Sequence, residues 1–220
     1  MKKLLPLLIV LTAIGTLAAH PASEQPEAAV PLSDERYAEL TRRLAALDST
    51  LTAAECAELY YGFATRPEYT GSKGYGEDGV QQLIGREKYR KAYKQAVKVL
   101  EKCPVSLEAH YLMLFIIFKL GMSREKAFPY AFHLEKLMLG IFTSGNGTSK
   151  EQAIRVLAVR DEYVLMQLFF DVRHVREQTL EDERYDVMTV DTPVLPGKTI
   201  YFDVSLPLNR LRKDVERIFK

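Results

Sequence analysis

Histidine and cysteine are scarce in this chain, and their positions argue against a metal centre and leave room for at most one disulfide. There are four histidines and two cysteines among 220 residues. No histidine is spaced from another, or from a cysteine, as a zinc site requires, and H-E-x-x-H does not occur. We therefore predict no metal and no other cofactor. Cys56 and Cys103 fall on the apolar sides of predicted helices, which favours two buried free thiols, although an oxidising compartment would permit a disulfide.

Neither sign of charge is in clear excess. Lysine and arginine number 30, aspartate and glutamate 29, and the formal net charge is +1. Domains that bind nucleic acids are usually strongly basic, so this balance argues against a nucleic-acid partner. The most basic surface is one face of a helix predicted over 85–103. That face could hold an anionic glycan, a phospholipid surface or an acidic protein, but such faces are usually only solvated.

Outside the N-terminus no apolar run is long enough to cross a membrane, and the N-terminal run is typical of a secretory signal. The basic start Met1-Lys2-Lys3 precedes an uncharged apolar run from Leu4 to Ala19 that ends in small residues. This run is also shorter than the ~20 residues that a membrane span needs. We predict a signal peptide over 1–19, with an uncleaved anchor as the alternative, and a disordered tether over 20–32. The mature protein would be periplasmic or extracellular in a bacterium, with no stable membrane span.

Capping residues and apolar spacing predict a helical subdomain over 33–143. Thr52 and Glu55 have the spacing of a capping box. A glycine-bearing loop is predicted over 66–79, and Pro129 should kink the last helix. The helices are predicted to form a hairpin array that is loosely tetratricopeptide-like. The predicted helices, most of them capped by Ser33, Thr52, Ser106 or Ser123, cover 33–47, 51–65, 85–103, 106–120 (with Tyr111 to Phe118 buried on all sides) and 123–140.

The glycine- and serine-rich run 144–149 marks the start of a smaller subdomain over 144–220. Its pattern predicts the order β-α-β-β-β-α with a mostly antiparallel sheet packed on the helices, so the whole chain is predicted to be α+β. The segment 162–170 is interpreted as a short helix, although its apolar run suits a strand equally well. In the last strand Tyr201 and Asp203 alternate with inward apolar residues and should face outward. The predicted strands are 154–159, 175–180, 185–190 and 199–205, and a final helix from Pro207 carries Leu208, Leu211, Val215 and Ile218 on one face.

An aromatic, glycine-rich segment follows the second helix and is the most informative feature of the chain. Aromatic side chains in such a loop either fasten it to the core or face a ligand. The first rings follow the apolar stripe of the helix and are assigned to the core. Tyr61 falls off that stripe, and Tyr69 and Tyr75 lie among glycines beyond it. The candidate ligand-binding residues are therefore Tyr61, Tyr69 and Tyr75, together with Tyr201 and Asp203 on the predicted outer face of the last strand.

Catalytic motifs occur only outside the context that their chemistry needs. Ser123 and Lys126 match S-x-x-K, but the companion motifs of penicillin-recognising enzymes are missing, and Ser123 is better explained as a helix cap. Gly74-x-Gly76-x-x-Gly79 lacks the strand that precedes a dinucleotide site. Carboxylates at the ends of predicted elements could form an acid–base pair acting on a glycan, although Asp161 is better explained as a helix cap. These carboxylates are Asp161, Glu162, Asp186 and Asp203.

Several short motifs, weak singly and more specific as a set, resemble those of one protein family. The opening motif is Leu59-Tyr60-Tyr61-Gly62-Phe63, followed by Tyr69 and Gly74-Tyr75. Later motifs are Gly147-Thr148-Ser149, Ala153-Ile154-x-Val156, Asp161-Glu162-Tyr163, Gln178-x-Leu180, Tyr185-Asp186 and 200–204. Over about residues 34–206 they resemble a family of exported Bacteroidetes proteins known as the domain of unknown function DUF4919. The resemblance implies export and this approximate size, and it brings no assigned activity and no catalytic residues. Cys103 departs from the pattern, which has a polar residue there.

The sequence favours an exported binding or interaction module without catalytic activity, whose partner would be a glycan, a peptide or an envelope protein. The alternatives are an exported hydrolase of glycans or cell-wall material that uses Asp/Glu pairs, and a structural subunit of an envelope assembly. A cleft holding two close carboxyl groups of raised pKa would favour the hydrolase. A shallow aromatic groove would favour binding, and a broad exposed apolar patch would favour assembly.

Overall fold

The computed structural model describes residues 31–195 and 198–219. The predicted signal peptide over 1–19, and the predicted tether up to residue 30, lie outside the described residues. Within the described ranges, no helix combines the length and apolarity that crossing a membrane requires. Six helices precede a small four-stranded sheet whose elements follow the predicted order β-α-β-β-β-α, and the α+β fold class is confirmed.

The first part of the structure is helical, and local capping explains where several helices begin. Ser33 accepts a hydrogen bond from the backbone N–H of Arg36, and Thr52 forms the predicted capping box with Glu55. Ser123 precedes its helix as predicted, but its side chain accepts no hydrogen bond from the helix backbone. The helices are α1 Asp34–Ala45, α2 Ala53–Gly62, α3 Glu77–Gly85, α4 Tyr89–Lys102, α5 Leu107–Lys119 and α6 Arg124–Ile141, with short 3-10 turns at Phe63–Thr65 and Gly71–Lys73.

Helix α3 was not predicted, because its start falls in the segment assigned to a loop. Gly76, with a φ of 121°, supplies the backbone turn in front of it, a conformation that favours glycine. Glu77 and Asp78 then place acidic groups in the first turn, where the helix dipole favours them. Helix α4 consequently begins at Tyr89 rather than at residue 85.

The sheet is mixed, with one parallel pair. Its order is β1-β4-β3-β2, in which β1 runs parallel to β4 and the other neighbours are antiparallel. The segment that suited helix or strand equally well is helical. The strands are β1 Ile154–Arg155, β2 His174–Glu181, β3 Tyr185–Asp191 and β4 Thr199–Asp203, while helix α7 Val159–Leu168 precedes β2 and helix α8 Ser205–Ile218 follows β4.

One apolar cluster joins the helices to the sheet. Leu40 of α1, Leu137 of α6, Val164 of α7 and Phe202 of β4 all belong to it. A second cluster fills the space between α3, α4 and α5 around Met113. Removing this apolar surface from water is the main favourable contribution to folding.

Burial differs from the sequence-based expectation at two positions and agrees with it at the cysteines. Asp203, expected to face outward, is 0% exposed because two arginines cover its carboxylate. Helix α5, expected to be buried on every side over Tyr111 to Phe118, leaves Phe118 51% exposed. Cys56 and Cys103 are buried free thiols, which confirms the favoured interpretation.

Candidate functional site

Two tyrosine hydroxyls fasten the aromatic segment to the rest of the fold. Tyr60 donates a hydrogen bond to Asp161 at 2.6 Å and accepts one from the backbone N–H of Leu157 at 2.9 Å. Tyr69 donates to the carbonyl oxygen of Leu157 at 2.7 Å. Burial raises the pKa of both tyrosines above the usual value, so both keep the proton that they donate. Tyr69, one of the candidate ligand residues, therefore lies in the core.

Tyr61 and Tyr201 contact the sheet rather than the glycine-rich loop. The Tyr61 hydroxyl lies 3.1 Å from the carbonyl oxygens of Ile141 and Arg155. Tyr201 is half-buried in β4, opposite Val187 of β3. Ligand binding by these two tyrosines stays a prediction.

Asp203 lies at the centre of a buried ion-pair cluster. Its Oδ2 accepts hydrogen bonds from Arg155 Nε at 3.2 Å and from Arg184 Nη2 at 2.9 Å. Burial works against ionisation, but the hydrogen bonds from Arg184 and Ser205 outweigh it and hold the pKa of Asp203 below its usual value. The carboxylate thus joins β1 to β4 and to the β2–β3 turn. Because it is covered, a ligand would have to displace an arginine to reach it.

Tyr75 lies in an open groove of about 630 Å³. Its ring centroid is 5.8 Å from that of Phe63, and Phe63 in turn is 6.4 Å from Tyr37. The backbone N–H of Thr70 donates to the Tyr75 hydroxyl at 2.9 Å, which fixes the orientation of the ring. The three rings come from α1, from the 3-10 turn after α2 and from the loop before α3. Phe63 is only 3% exposed, so the half-buried Tyr37 and Tyr75 present the aromatic surface along the groove, with Phe63 packed behind them.

Charges of both signs surround these rings. The Arg66 guanidinium lies over the Tyr37 ring, 5.1 Å from its centroid. The other charged side chains along the groove are Glu68, Glu101 and Lys102, all exposed. Two basic and two acidic groups around aromatic rings suit a ligand that combines apolar faces with polar groups and carries little net charge.

Buried carboxyl groups gather where three helices begin. Glu77, Glu108 and Asp161 occupy the first turns of α3, α5 and α7. Acidic side chains are stabilised there by the partial positive charge of helix N-termini. Arg160 Nη1 lies 2.8 Å from Glu108 and 3.8 Å from Glu77, beside a pocket of about 300 Å³. The arginine therefore neutralises part of the acidic charge and ties α7 to α3 and α5.

Asp161 has a pKa near neutrality. Burial raises it to about 7, against the opposing effect of the hydrogen bond from Tyr60. The cavity next to Asp161 has a volume of about 20 Å³, enough for one water molecule and too small for a sugar. The prediction that Asp161 caps a helix is wrong, because Ala158 occupies the N-cap position of α7 and the Asp161 side chain bonds to Tyr60 instead.

Glu162 and Asp186 form a second buried carboxyl pair, between α7 and β3. Glu162 is 0% exposed, and its burial, followed by the charge of Asp186, raises its pKa well above the usual value. Burial also raises the pKa of Asp186, although Gln178 donates a hydrogen bond to it at 2.5 Å. Two carboxyl groups so placed favour a state with one proton between them.

The rings of two histidines, one buried and one half-buried, pack against each other. The rings of His110 and His133 are 5.1 Å apart, and burial, followed by the nearby His133, lowers the pKa of His110 to about 3. In the part of the chain that the structure describes, no group of three His, Cys, Asp or Glu side chains is placed to hold a metal ion.

Comparison with known proteins agrees with the sequence motifs. A family model described as a domain of unknown function, DUF4919, matches residues 31–213. The chain belongs to this family. No curated protein and no solved structure matches it. The family match confirms the family that the short motifs indicated.

Several motif residues of this DUF4919 chain meet one another in the fold. Tyr60 of the opening motif bonds to Asp161, and Tyr163 donates to Gln178 at 3.2 Å. Gln178 in turn donates to Asp186. Motifs that are far apart in sequence thus form contacts within the fold, and these contacts give a structural reason for their residue types.

The groove contains residues that sequence reasoning missed. Tyr37 follows the apolar stripe of α1, which assigns it to the core. Arg66 belongs to a separate segment and shares no spacing with Tyr75. Lys102 was assigned to the basic face of the helix predicted over 85–103, but not to a site with Tyr75. No local pattern links these positions, because the groove arises from the packing of α1, α2 and α4 around the loop.

Proposed function

We propose that this protein is an exported, non-enzymatic binding module whose ligand occupies the groove lined by Tyr37, Phe63 and Tyr75. The observation that carries this proposal is the aromatic surface of an open groove of about 630 Å³, a size suited to a small ligand or a segment of a larger one. Export rests on the basic and apolar pattern of residues 1–19.

The ligand that fits this groove best is a glycan segment. Tyrosine rings present flat apolar faces with polar edges, which suits the faces and hydroxyl groups of a sugar ring. The surrounding charged groups include both donors and acceptors, Arg66 and Lys102 against Glu68 and Glu101. Because their charges cancel, a strongly anionic or cationic ligand has no advantage there.

The carboxyl groups support the hydrolase alternative less well. A glycoside hydrolase needs two carboxyl groups on either side of a sugar in an open cleft. Asp161 lies beside a cavity for one water, and Glu162 and Asp186 are buried between α7 and β3. These groups have the raised pKa values of an acid–base pair but lack the access that a sugar substrate needs.

A thermal-shift screen of the protein against glycans, muropeptides and peptides tests the proposal. A ligand at 100 times its Kd stabilises the folded state by about 2.7 kcal/mol. We expect glycan-containing ligands to raise Tm and free peptides to leave it unchanged. If no glycan raises Tm, or if only peptides do, the proposal fails.

One variant tests whether the ligand occupies the groove. Lys102→Ala removes an exposed charge beside the groove. We expect Lys102→Ala to weaken binding by about 3- to 10-fold. The matched control is Lys98→Ala, one turn earlier on α4, exposed and outside the groove, which should bind as the parent does. Equal affinity in Lys102→Ala and Lys98→Ala would place the ligand elsewhere.

A further inference from the structure

We propose that one end of the helical part is a docking surface for an anionic phospholipid membrane. Helices α3 to α6 follow one another through short turns and run in alternating directions, so the C-terminal ends of α3 and α5 lie beside the N-terminal ends of α4 and α6. A ring contact supports this arrangement, because the centroids of Tyr89 at the start of α4 and Phe115 near the end of α5 are 6.4 Å apart. We call the surface formed by 85–90 and 118–128 the basic end.

Positive charge is concentrated in this part of the chain. The segment 86–126 contains ten basic and four acidic residues, whereas the rest of the sequence contains 20 basic and 25 acidic residues. At the basic end itself six basic side chains, all exposed, face only the acidic Glu87 and Glu125. The six are Arg86, Lys88, Arg90, Lys119, Arg124 and Lys126. The net charge of this surface attracts anions.

The six basic side chains of the basic end keep their charge available for an external partner. None of them forms an ion pair with another residue of 31–195 or 198–219. Elsewhere in the fold Arg36 and Arg176, for example, pair with Glu39 and Asp191. Like charges held close together repel one another, and a bound anionic surface would relieve this repulsion.

Two exposed phenylalanine rings lie at the same end. Phe118 in the last turn of α5 is 51% exposed, and Phe128 near the start of α6 is 52% exposed. With a rise of 1.5 Å per residue, both lie within about 6 Å, along the helix axis, of the helix ends that form this surface. Exposed apolar rings among lysine and arginine are typical of surfaces that lie on anionic membranes.

A lipid membrane matches both features of the basic end. Its phosphate groups attract lysine and arginine, and the acyl chains just below the headgroups accept apolar rings. An acidic glycan would pair with the cations but leave Phe118 and Phe128 in water. An acidic protein fits less well, because half of the six cations are lysine, which is depleted in protein interfaces.

The basic end and the groove lie at opposite ends of α4. Lys102, which lines the groove, is about 20 Å along the helix axis from Tyr89. A membrane at the basic end therefore leaves the groove open on the side away from the lipid. Membrane docking goes beyond the proposed ligand binding and does not depend on it.

Cosedimentation with vesicles tests the proposal. The mature protein should bind vesicles that contain phosphatidylglycerol and should bind pure phosphatidylcholine vesicles far more weakly. Raising the salt concentration from about 0.05 to 0.5 M should release it, because salt screens exposed charges. Absence of binding to phosphatidylglycerol would overturn the proposal. So would binding of soluble polyglutamate or polygalacturonate at the basic end without binding to vesicles.

Charge variants test which surface binds. Arg86→Gln, Lys88→Gln and Arg124→Gln together should weaken vesicle binding by about 100-fold, since each basic residue near an anionic membrane contributes about 5-fold. The matched control loses the same charge at three other exposed positions and should bind nearly as the parent does. Its substitutions are Arg173→Gln before β2 and Lys213→Gln and Arg217→Gln on α8. Equal loss in the two variants, or greater loss in the control, would contradict docking through the basic end.

Tryptophan fluorescence tests whether the phenylalanine positions reach the lipid. The chain contains no tryptophan, so a single substitution reports on its own position. Phe128→Trp should shift its emission to the blue on adding phosphatidylglycerol vesicles and should be quenched by brominated lipid. Leu139→Trp, on the same helix, 41% exposed and about 16 Å further along, is the control and should show neither change. An unchanged Phe128→Trp signal, or equal quenching at both positions, would contradict the proposed orientation.

Discussion

Buried ionisable side chains give this protein two opposite responses to pH. Burial raises the pKa of Glu162 and brings that of Asp161 to about 7, so the folded state holds these protons more tightly than the unfolded chain does. Their contribution to the free energy of unfolding is greatest below about pH 4, the pKa of a carboxyl group in the unfolded chain. That contribution is lost as the pH rises through the raised pKa values of the folded state. His110, with a pKa near 3, has the opposite effect, and stability is lost as pH falls below about 6.5.

Glu162→Gln should stabilise the protein at neutral pH. The amide keeps the shape of the side chain but does not titrate, so folding at neutral pH no longer requires position 162 to take up a proton beside Asp186. We expect a gain of roughly 1–3 kcal/mol at pH 7 that shrinks toward zero near pH 4. Urea unfolding at the two pH values measures it. Glu177→Gln, on an exposed position of β2, is the control and should change stability little at either pH.

Tyr60→Phe should destabilise the protein. It removes the hydroxyl that joins Asp161 to the backbone N–H of Leu157 and leaves both buried groups without this partner. The expected loss is about 1–3 kcal/mol in the free energy of unfolding. Tyr163→Phe, whose hydroxyl makes an exposed hydrogen bond to Gln178, should cost less than about 0.5 kcal/mol. Equal losses in the two variants would show that the buried Tyr60 hydrogen bonds contribute no more stability than the exposed hydrogen bond of Tyr163.

At the scale of single elements, helix starts that look alike in sequence differ in their hydrogen bonds. Thr52 accepts from the backbone N–H of Glu55, and the Glu55 side chain accepts from the Thr52 N–H. Ser123 makes no hydrogen bond of this kind with the backbone of α6. A hydroxyl side chain at the N-cap position therefore stabilises α2 but not α6 through a hydrogen bond to the helix backbone.

Thr52→Ala should accordingly cost more stability than Ser123→Ala. We expect a loss of about 0.5–2 kcal/mol for Thr52→Ala, in the range measured for helix caps. For Ser123→Ala the expected loss is a few tenths of a kcal/mol, about that of an ordinary surface substitution. Thermal or urea unfolding of the two variants side by side measures the difference, and a larger loss at Ser123 would contradict it.

The close approach of α2 to α6 depends on Gly140. A Cβ atom there would lie 2.5 Å from the carbonyl carbon of Cys56 and 2.6 Å from the backbone nitrogen of Ala57. Gly140→Ala therefore forces α2 and α6 apart and should lower the free energy of unfolding of the protein by about 2 kcal/mol or more. Gly79→Ala, in α3 with no atom near its added Cβ, should stabilise by about 0.5–1 kcal/mol. Opposite signs of the change in Tm are the expected result.

At the scale of the whole molecule, the predicted subdomains 33–143 and 144–220 share their main apolar cluster. Tyr60 and Leu137 on one side, and Leu165 and Phe202 on the other, belong to that cluster. We therefore expect a single cooperative unfolding transition, with equal calorimetric and van't Hoff enthalpies. Two resolved transitions in calorimetry would mean that the parts unfold independently.

Much of the fold follows from patterns a few residues long. Ser33 and the Thr52 box begin helices as predicted. The alternation of Ile200 and Phe202 locates β4, which ends at Asp203, two residues before the predicted end, because α8 already begins at Ser205. Helix α3 was missed because its glycines weaken the helical pattern, and only the turn at Gly76 together with its packing reveals it. Of the candidate site residues, Tyr75 reaches the groove, whereas Tyr69 and Asp203 are buried.

The sequence by itself determined the family, the α+β class, most helix starts and the inward faces of the sheet. These properties depend on hydrogen bonds and side-chain periodicity within one element, which act over a few positions of the chain. Only the tertiary structure decided the burial of Asp203, the pairing of Glu162 with Asp186 and the placement of Tyr37 and Tyr75 along one groove. Each of these depends on how separate elements pack together. The side chains that packing brings next to a residue set its charge state and its exposure, and the residue type alone does not.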